Sequence, residues 1–339
     1  MKRILSLSLV SICLLSCQKD KTPRKLDLNL TYKGASVLSP VNSIISTAFD
    51  PILDVSANSV CFTPIGVVYP GMDSILFDVS GIYWGGKTGG IEDEIGFAHL
   101  KNLSVMIRPQ IDFQDNITLS TTFDAGSDWT TFESSYTAFL IHWANVADSL
   151  NVEVLCIGDD FEYFTITRPD YWAGLIDSIR EIYSGKLTYA ADWDSYGTVP
   201  FWSDLDYIGI NAYFPINPEP TPLSDDVEQN WLTDVIPDME VLQTSVGIPV
   251  IFTEYGYRSV DYCGNEPWVT DSLGAVNTFA QENCLLGLYN AFDGKDWFEG
   301  GFVKGWDIEN PNAGGASDDG FTPQNKDAGH FLKVLFGSN

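Results

Sequence analysis

The chain has 339 residues, of which 45% are hydrophobic and 13% aromatic, with 10 Trp among them. That is enough apolar material for one large core, and it excludes a disordered or fibrous chain. Eighteen basic residues against 46 acidic ones leave a formal charge of −28, which repels phosphate backbones and argues against a nucleic-acid partner.

In chain order, residues 1–16 read as a signal peptide. Lys2 and Arg3 supply a positive start, Ile4 to Leu15 an apolar stretch too short to span a bilayer, and Leu14-Leu15-Ser16-Cys17 a processing site. This resembles a bacterial lipoprotein lipobox, which implies cleavage before Cys17 and lipidation of that cysteine. The expected location is therefore a lipid anchor in the cell envelope, at the outer membrane, facing either the periplasm or the surface. Gln18-Lys19-Asp20-Lys21 is loosely similar to the charged export tags of surface lipoproteins. Residues 17–31 form a polar tether, and 32–339 a single domain.

Within that domain short apolar runs alternate with amphipathic stretches, the pattern of repeated βα units. Strands are expected near 33–38, 59–68, 104–113, 152–158, 186–192, 206–212, 249–254 and 302–307. The clearest helix is 129–150, where Phe132, Tyr136, Phe139, Leu140, Trp143, Val146, Ala147 and Leu150 recur at helical spacing. Others are expected near 40–55, 90–102, 169–184, 228–246, 270–292 and 325–335; Pro169 suits a helix start and Gly185 a stop. Eight strands alternating with helices predict an α/β fold of the (β/α)₈ TIM-barrel type. An open doubly wound sheet is the runner-up, but no Gly-rich phosphate loop follows the first strand. The Gly/Asp/Asn-rich stretch 309–320 reads as a long loop after strand eight, on the side of a barrel where loops build the site.

Cys61 and Cys156 sit in apolar strand-like runs and are expected to be buried small hydrophobes. Cys263 and Cys284 flank a Gly/Asn/Pro-containing loop, where an exported location permits a disulfide. His99, His142 and His330 lie far apart, so neither a metal nor another cofactor is expected.

The strand ends carry the chemistry. Strand three ends in Arg108-Pro109-Gln110-Ile111-Asp112, strand four in Asp159-Asp160, strand five in Asp192-Trp193-Asp194, and strand six in Asn211-Ala212-Tyr213. Strand seven, Val250-Ile251-Phe252-Thr253, stops at Glu254-Tyr255, and strand eight at Trp306-Asp307. Polar and aromatic groups converging on one rim suit a carbohydrate, whose C–H faces stack on aromatic rings.

The runs Phe201 to Pro215, Ile251 to Tyr257 and Gly185 to Trp193 resemble glycoside hydrolase family 113, barrel enzymes of the large retaining clan known mainly as β-mannanases. The resemblance covers roughly residues 33–336. It implies that Glu254 is the nucleophile and that Trp306 floors the subsite of the cleaved sugar. Trp193, Tyr213, Arg108, Asn211 and Tyr255 fall where similar enzymes line the cleft.

Strand four departs from the family pattern, in which Ile-Gly is followed by Asn or Thr and then the acid/base Glu. Here Ile157-Gly158 leads into Asp159 and Asp160, so Asp160 takes the acid/base position and Asp159 that of the neighbour contacting a sugar hydroxyl. One methylene fewer draws the carboxyl back by roughly 1–1.5 Å, and Glu162 is an alternative acid. Two adjacent acids raise each other's pKa where their carboxylates approach, although strand neighbours ordinarily face opposite ways. Two functions follow. One is a retaining glycoside hydrolase acting on β-linked, mannan-like poly- or oligosaccharide. The other is a catalytically impaired glycan-binding lipoprotein on the same barrel, working beside surface glycan-uptake proteins.

Overall fold

A computed structural model describes residue 26 and residues 28–114, 129–270 and 274–337. The signal peptide and Cys17 lie outside the described residues. The chain runs β1 (Tyr32–Val37), α1 (Asp50–Asp54), β2 (Ser59–Phe62), β3 (Ile65–Val68), α2 (Thr88–Leu100), β4 (Ser104–Ile107), β5 (Gln110–Phe113) and α3 (Trp129–Leu150). It continues with β6 (Val154–Asp159), α4 (Glu162–Thr167), α5 (Pro169–Arg180), β7 (Lys186–Asp192), β8 (Ile208–Asn211) and α6 (Ser224–Asn230). It closes with α7 (Ile236–Val246), β9 (Val250–Tyr255), α8 (Thr278–Ala291), β10 (Phe298–Trp306) and α9 (Asp327–Gly337). Eight of these strands form a closed parallel barrel in the order β1-β10-β9-β8-β7-β6-β4-β2, the predicted (β/α)₈ architecture in one domain.

Parallel strands buried on both faces need apolar residues on both, and these divide cleanly. Cys61, Met106, Val154, Cys156, Ala190, Ile251 and Phe302 fill the barrel interior, while Val60, Val105, Leu155, Leu187, Ile210, Phe252 and Val303 face the helices. The long helix α3 lays Phe132, Tyr136, Phe139, Leu140, Trp143, Val146 and Ala147 against the sheet, as its periodicity requires. Cys263 and Cys284 meet with sulfurs 3.8 Å apart, both as thiols.

Two expected strands are each split. Pro64 and Pro109 lack the N–H that a barrel ladder needs, so 59–68 becomes β2 and β3, and 104–113 becomes β4 and β5. The second halves leave the barrel and pair with each other, Ile65 with Gln110 through Val68 with Phe113, as a two-stranded parallel sheet. The helix expected near 228–246 is interrupted by a π turn at Trp231–Val235, just before Pro237 in the first turn of α7. The helix expected near 270–292 is regular only from Thr278, and residues 271–273 lie outside those described.

Three strands slip register at their carboxyl ends, and this slip builds the site. Cys156 pairs with Thr188 but Asp159 with Ala190; Ile210 pairs with Phe252 but Asn211 with Glu254; Ala35 pairs with Val303 but Val37 with Trp306. Each bulge adds one residue and flips the facing of those beyond it.

Candidate active site

Glu254 is the most heavily ligated side chain at the barrel mouth. Alternation from Ile251 would turn it outward, and the bulge in β9 turns it in. Its Oε2 accepts from Arg108 Nη2 at 2.5 Å and from Ser36 Oγ at 3.1 Å. Its Oε1 accepts from the Tyr213 hydroxyl at 2.5 Å and from Lys304 Nζ at 3.0 Å. Burial alone would push the Glu254 carboxyl up. The Arg108 and Lys304 cations and the Tyr213 hydroxyl overcome it and hold the group well below the usual carboxylate range. Glu254 is therefore a fixed carboxylate whose oxygens are all donor-bound.

Arg108 is 2% exposed and serves several partners at once. Nη1 donates to Asn211 Oδ1 at 3.0 Å, and Nε lies 3.9 Å from Asp159 Oδ2. Asn211 in turn accepts from Thr253 Oγ1 at 2.9 Å and donates to Asp159 Oδ1 at 2.7 Å. Gln110 Nε2 donates to the other oxygen of Asp159. Asp159 is thus tied down as an acceptor on both oxygens.

Asp160 is held differently. The backbone turns there into the left-handed region, φ +52°, a conformation that Asp adopts more readily than most L-residues. That turn defeats strand alternation, and Asp159 and Asp160 both line the cleft. Among the described residues no side chain hydrogen-bonds or ion-pairs with the Asp160 carboxyl. Although the residue is exposed at the rim, desolvation by the cleft wall is the largest cause raising its pKa. Repulsion from Asp192, Asp159, Asp194 and Glu162 adds to it, and the group is pushed up to about 7. Burial, together with Asp194 and Asp159, likewise pushes Asp192 up to about 6, against a hydrogen bond from the Trp193 backbone N–H.

These groups share one open cavity of about 820 Å³. Its walls include Arg108, Gln110, Asp159, Asn211, Tyr213 and Glu254 from the barrel mouth, and Ile65, Ile111, Asp112 and Phe113 from the β3–β5 sheet. Asp160, Glu162, Tyr163, Asp192 and the rim aromatic Trp268, 42% exposed, complete it. A groove with one unpartnered acid of raised pKa and one fixed carboxylate is equipped for acid-assisted displacement at an acetal carbon.

Residues 86–326, well over half the chain, match the model of Glycoside Hydrolase Family 113. The chain belongs to glycoside hydrolase family 113. It is a glycoside hydrolase acting on O-glycosyl bonds. No curated protein sequence matches it. Among solved structures it is similar to the family 113 β-mannanase of Alicyclobacillus acidocaldarius, at 21% identity and TM-score 0.77 over 92% of this chain and 98% of that one. It is also similar to a family 113 β-1,4-mannanase, at 19% identity and TM-score 0.78 over 91% and 100% of the two chains. More distant is a β-glucuronidase from Ruminococcus gnavus, at 14% identity and TM-score 0.58, with 91% of this chain covered and 50% of that one.

Within this family 113 barrel, the residues singled out from the sequence fall into two groups. Glu254, Asp159, Asp160, Arg108, Asn211 and Tyr213 come together on the cavity. Trp193 stands on the rim instead, half-buried and stacked on Trp268 with ring centres 5.2 Å apart. Tyr255 does not reach the cleft: the bulge that brings Glu254 in turns Tyr255 out, where its hydroxyl bonds that of Tyr289 on α8. Trp306 is also displaced from the expected floor. The extra residue in β10 at Gly305, φ +90°, leaves Trp306 packed in the apolar layer outside the barrel interior, 3% exposed, with no hydrogen-bond partner for Nε1 among the described residues. Lys304, two residues after the interior Phe302 and ahead of the bulge, faces inward by ordinary alternation and reaches Glu254. Lys304, Ser36 and Trp268 are the site residues that the sequence pattern did not mark, while Gln110 enters from the end of strand three. Alternation from Phe302 was the available clue to Lys304, and an isolated Gly in a strand signals a bulge, so Gly305 was the clue that Trp306 turns away.

Proposed function

We propose that this family 113 enzyme is a retaining β-glycosidase of mannan-like poly- or oligosaccharides, with Glu254 as nucleophile and Asp160 as acid/base. The observation that carries this reading is the opposite electrostatic state of two carboxyls on one cavity. Glu254 is held ionised by two cations, and Asp160 is held protonatable near neutrality by desolvation against the cleft wall and by the surrounding acids. In the first step Glu254 attacks the anomeric carbon while the Asp160 proton passes to the departing glycosidic oxygen. In the second, Asp160 takes a proton from water, the water oxygen bonds to the anomeric carbon, and Glu254 leaves as carboxylate. Asp159, bound by Gln110 and Asn211, is left to orient the network around Arg108. The β-mannanases among its structural relatives support the choice of glycan.

Export and lipidation at Cys17 would place the enzyme on the outer membrane, where it would supply oligosaccharides to uptake proteins. The second reading, a glycan-binding protein without turnover, is favoured by one observation, the Asp at a position where the family pattern has Glu. A 2-deoxy-2-fluoro-β-mannosyl fluoride separates the two. A covalent adduct on Glu254, detected by intact and peptide mass and absent in Glu254→Gln, is the expected result. Glycan binding with neither adduct nor Glu254-dependent hydrolysis of a dinitrophenyl β-mannoside would overturn the enzymatic reading.

A further inference from the structure

Lys304 has a place in this site that the other donors to Glu254 do not share. Its Nζ sits 3.0 Å from Glu254 Oε1, and 5.0 and 4.9 Å from the ring centres of Tyr213 and Phe321. Arg108 is sealed at 2% exposure and braced by Asn211, but the Lys304 side chain is 31% exposed. It borders a second cavity of about 500 Å³ walled by residues of the loop after β10, among them Asp307, Asn310 and Asp318. Lys304 therefore joins the loop side of the barrel to the carboxylate and is not needed to fill the core.

The charge on that carboxylate is what changes during the reaction. When Glu254 becomes an ester, the negative charge that Lys304 faces disappears, and the cation is left beside a neutral group. When the ester breaks, the electron pair of the C–O bond returns to Glu254 and the charge develops again, 3.0 Å from an ammonium already in position. A fixed cation thus opposes loss of the carboxylate charge and favours its recovery.

We propose that Lys304 is a catalytic residue of the second step, stabilising Glu254 as leaving group when water cleaves the glycosyl-enzyme. The inference rests on the retaining reading above. In the balanced step, water bonds to the anomeric carbon, its proton goes to Asp160, and the ester electron pair goes to Glu254. Lys304 neither gains nor loses a proton.

The test uses 2,4-dinitrophenyl β-mannobioside, whose leaving group makes breakdown of the intermediate rate-limiting. For this substrate kcat reports the second step and kcat/KM the first. In Lys304→Met, kcat is expected to fall at least tenfold while kcat/KM changes by threefold or less, with glycosyl-enzyme accumulating in acid-quenched samples read by intact mass. Lys304→Arg, which keeps the charge, should recover most of kcat. A parallel fall of kcat and kcat/KM in Lys304→Met, or no accumulated adduct, overturns the role of Lys304. So does a full effect in Lys304→Arg, which also guards against a folding defect in the Met variant. Wild-type protein that forms no adduct and shows no Glu254-dependent turnover would overturn the retaining reading instead.

Discussion

Glu254 and Asp160 end two strands of one barrel and face one cavity, yet their surroundings are opposite. Around Glu254 the chain places four donors, two of them cations. Around Asp160 it places acids, with no bonded partner among the described residues, in a backbone turn at φ +52°. The formal charge of −28 is thus not spread evenly through the site. The positive charge of the cleft gathers on the Glu254 side, while desolvation and the surplus negative charge together keep Asp160 protonatable. Two groups of the same chemistry acquire separate roles from their neighbours alone.

The comparison is broken most severely by removing the cation that makes it. Arg108→Met leaves Glu254 and Asp159 buried with their principal counter-charge gone, and loss of one partner from a buried pair costs roughly 3–5 kcal/mol. Urea unfolding at pH 7 should show a deficit of that size. The sign of its pH dependence follows from the depressed Glu254 pKa. Wild-type stabilisation from this group is present in full above the unfolded carboxyl value, about 4.3; its loss begins there and is complete only as pH falls through the much lower folded value. The deficit should therefore be largest at neutral pH, begin to shrink near pH 4 and shrink further below it. A deficit that stays constant across that range would show that Arg108 acts through packing and not through charge.

Removing the other partner should leave the fold nearly intact and divide substrates by leaving group. Asp160→Asn keeps a residue that tolerates φ +52° and removes the acid. Loss of general acid catalysis is worth about 10²–10⁴-fold. Glycan or methylumbelliferyl substrates should lose on that scale, and a dinitrophenyl β-mannobioside should keep most of its kcat/KM. Equal losses on both would remove Asp160 from the acid role, and Glu162, which lines the same cavity, would be the next residue to test.

The barrel was legible because its message is repeated. Runs such as Val250-Ile251-Phe252 satisfy both faces of a buried strand, and eight of them in alternation with helices leave few alternatives. Glu254, Arg108 and Asn211 were legible for the same reason, as polar residues that end apolar runs. What the pattern does not encode is a slip of one residue at the rim. Past the bulges in β6, β9 and β10, Asp159 joins Asp160 in the cleft, Glu254 enters it in place of Tyr255, and Trp306 is turned away. Hydrophobicity is silent there, because these residues are polar or aromatic and suit either face. Trp268 was invisible for another reason: it arrives on a long loop and reaches the cavity through tertiary packing against Trp193.

The finest prediction concerns the pH at which the two carboxyls hold their working states together. Activity on poor leaving groups needs Asp160 protonated and Glu254 ionised. The basic limb of kcat/KM should therefore lie near 7, where Asp160 is poised, and the acid limb far below it, where Glu254 finally takes a proton. Asp192 contributes most among the charges that raise the Asp160 pKa, and with its own pKa at about 6 it is mostly ionised at pH 7. In Asp192→Asn that repulsion is gone and Asp160 gives up its proton more easily. The basic limb should then move to lower pH by about half to one pH unit, with the plateau rate changed far less than in Asp160→Asn. A limb that stays in place would mean that Asp192 has no hold on the Asp160 proton and that desolvation by the cleft wall outweighs it. A limb that moves to higher pH would mean that Asp192 favours the ionised form of Asp160 instead of opposing it, and the division of roles between the two strand ends would have to be redrawn.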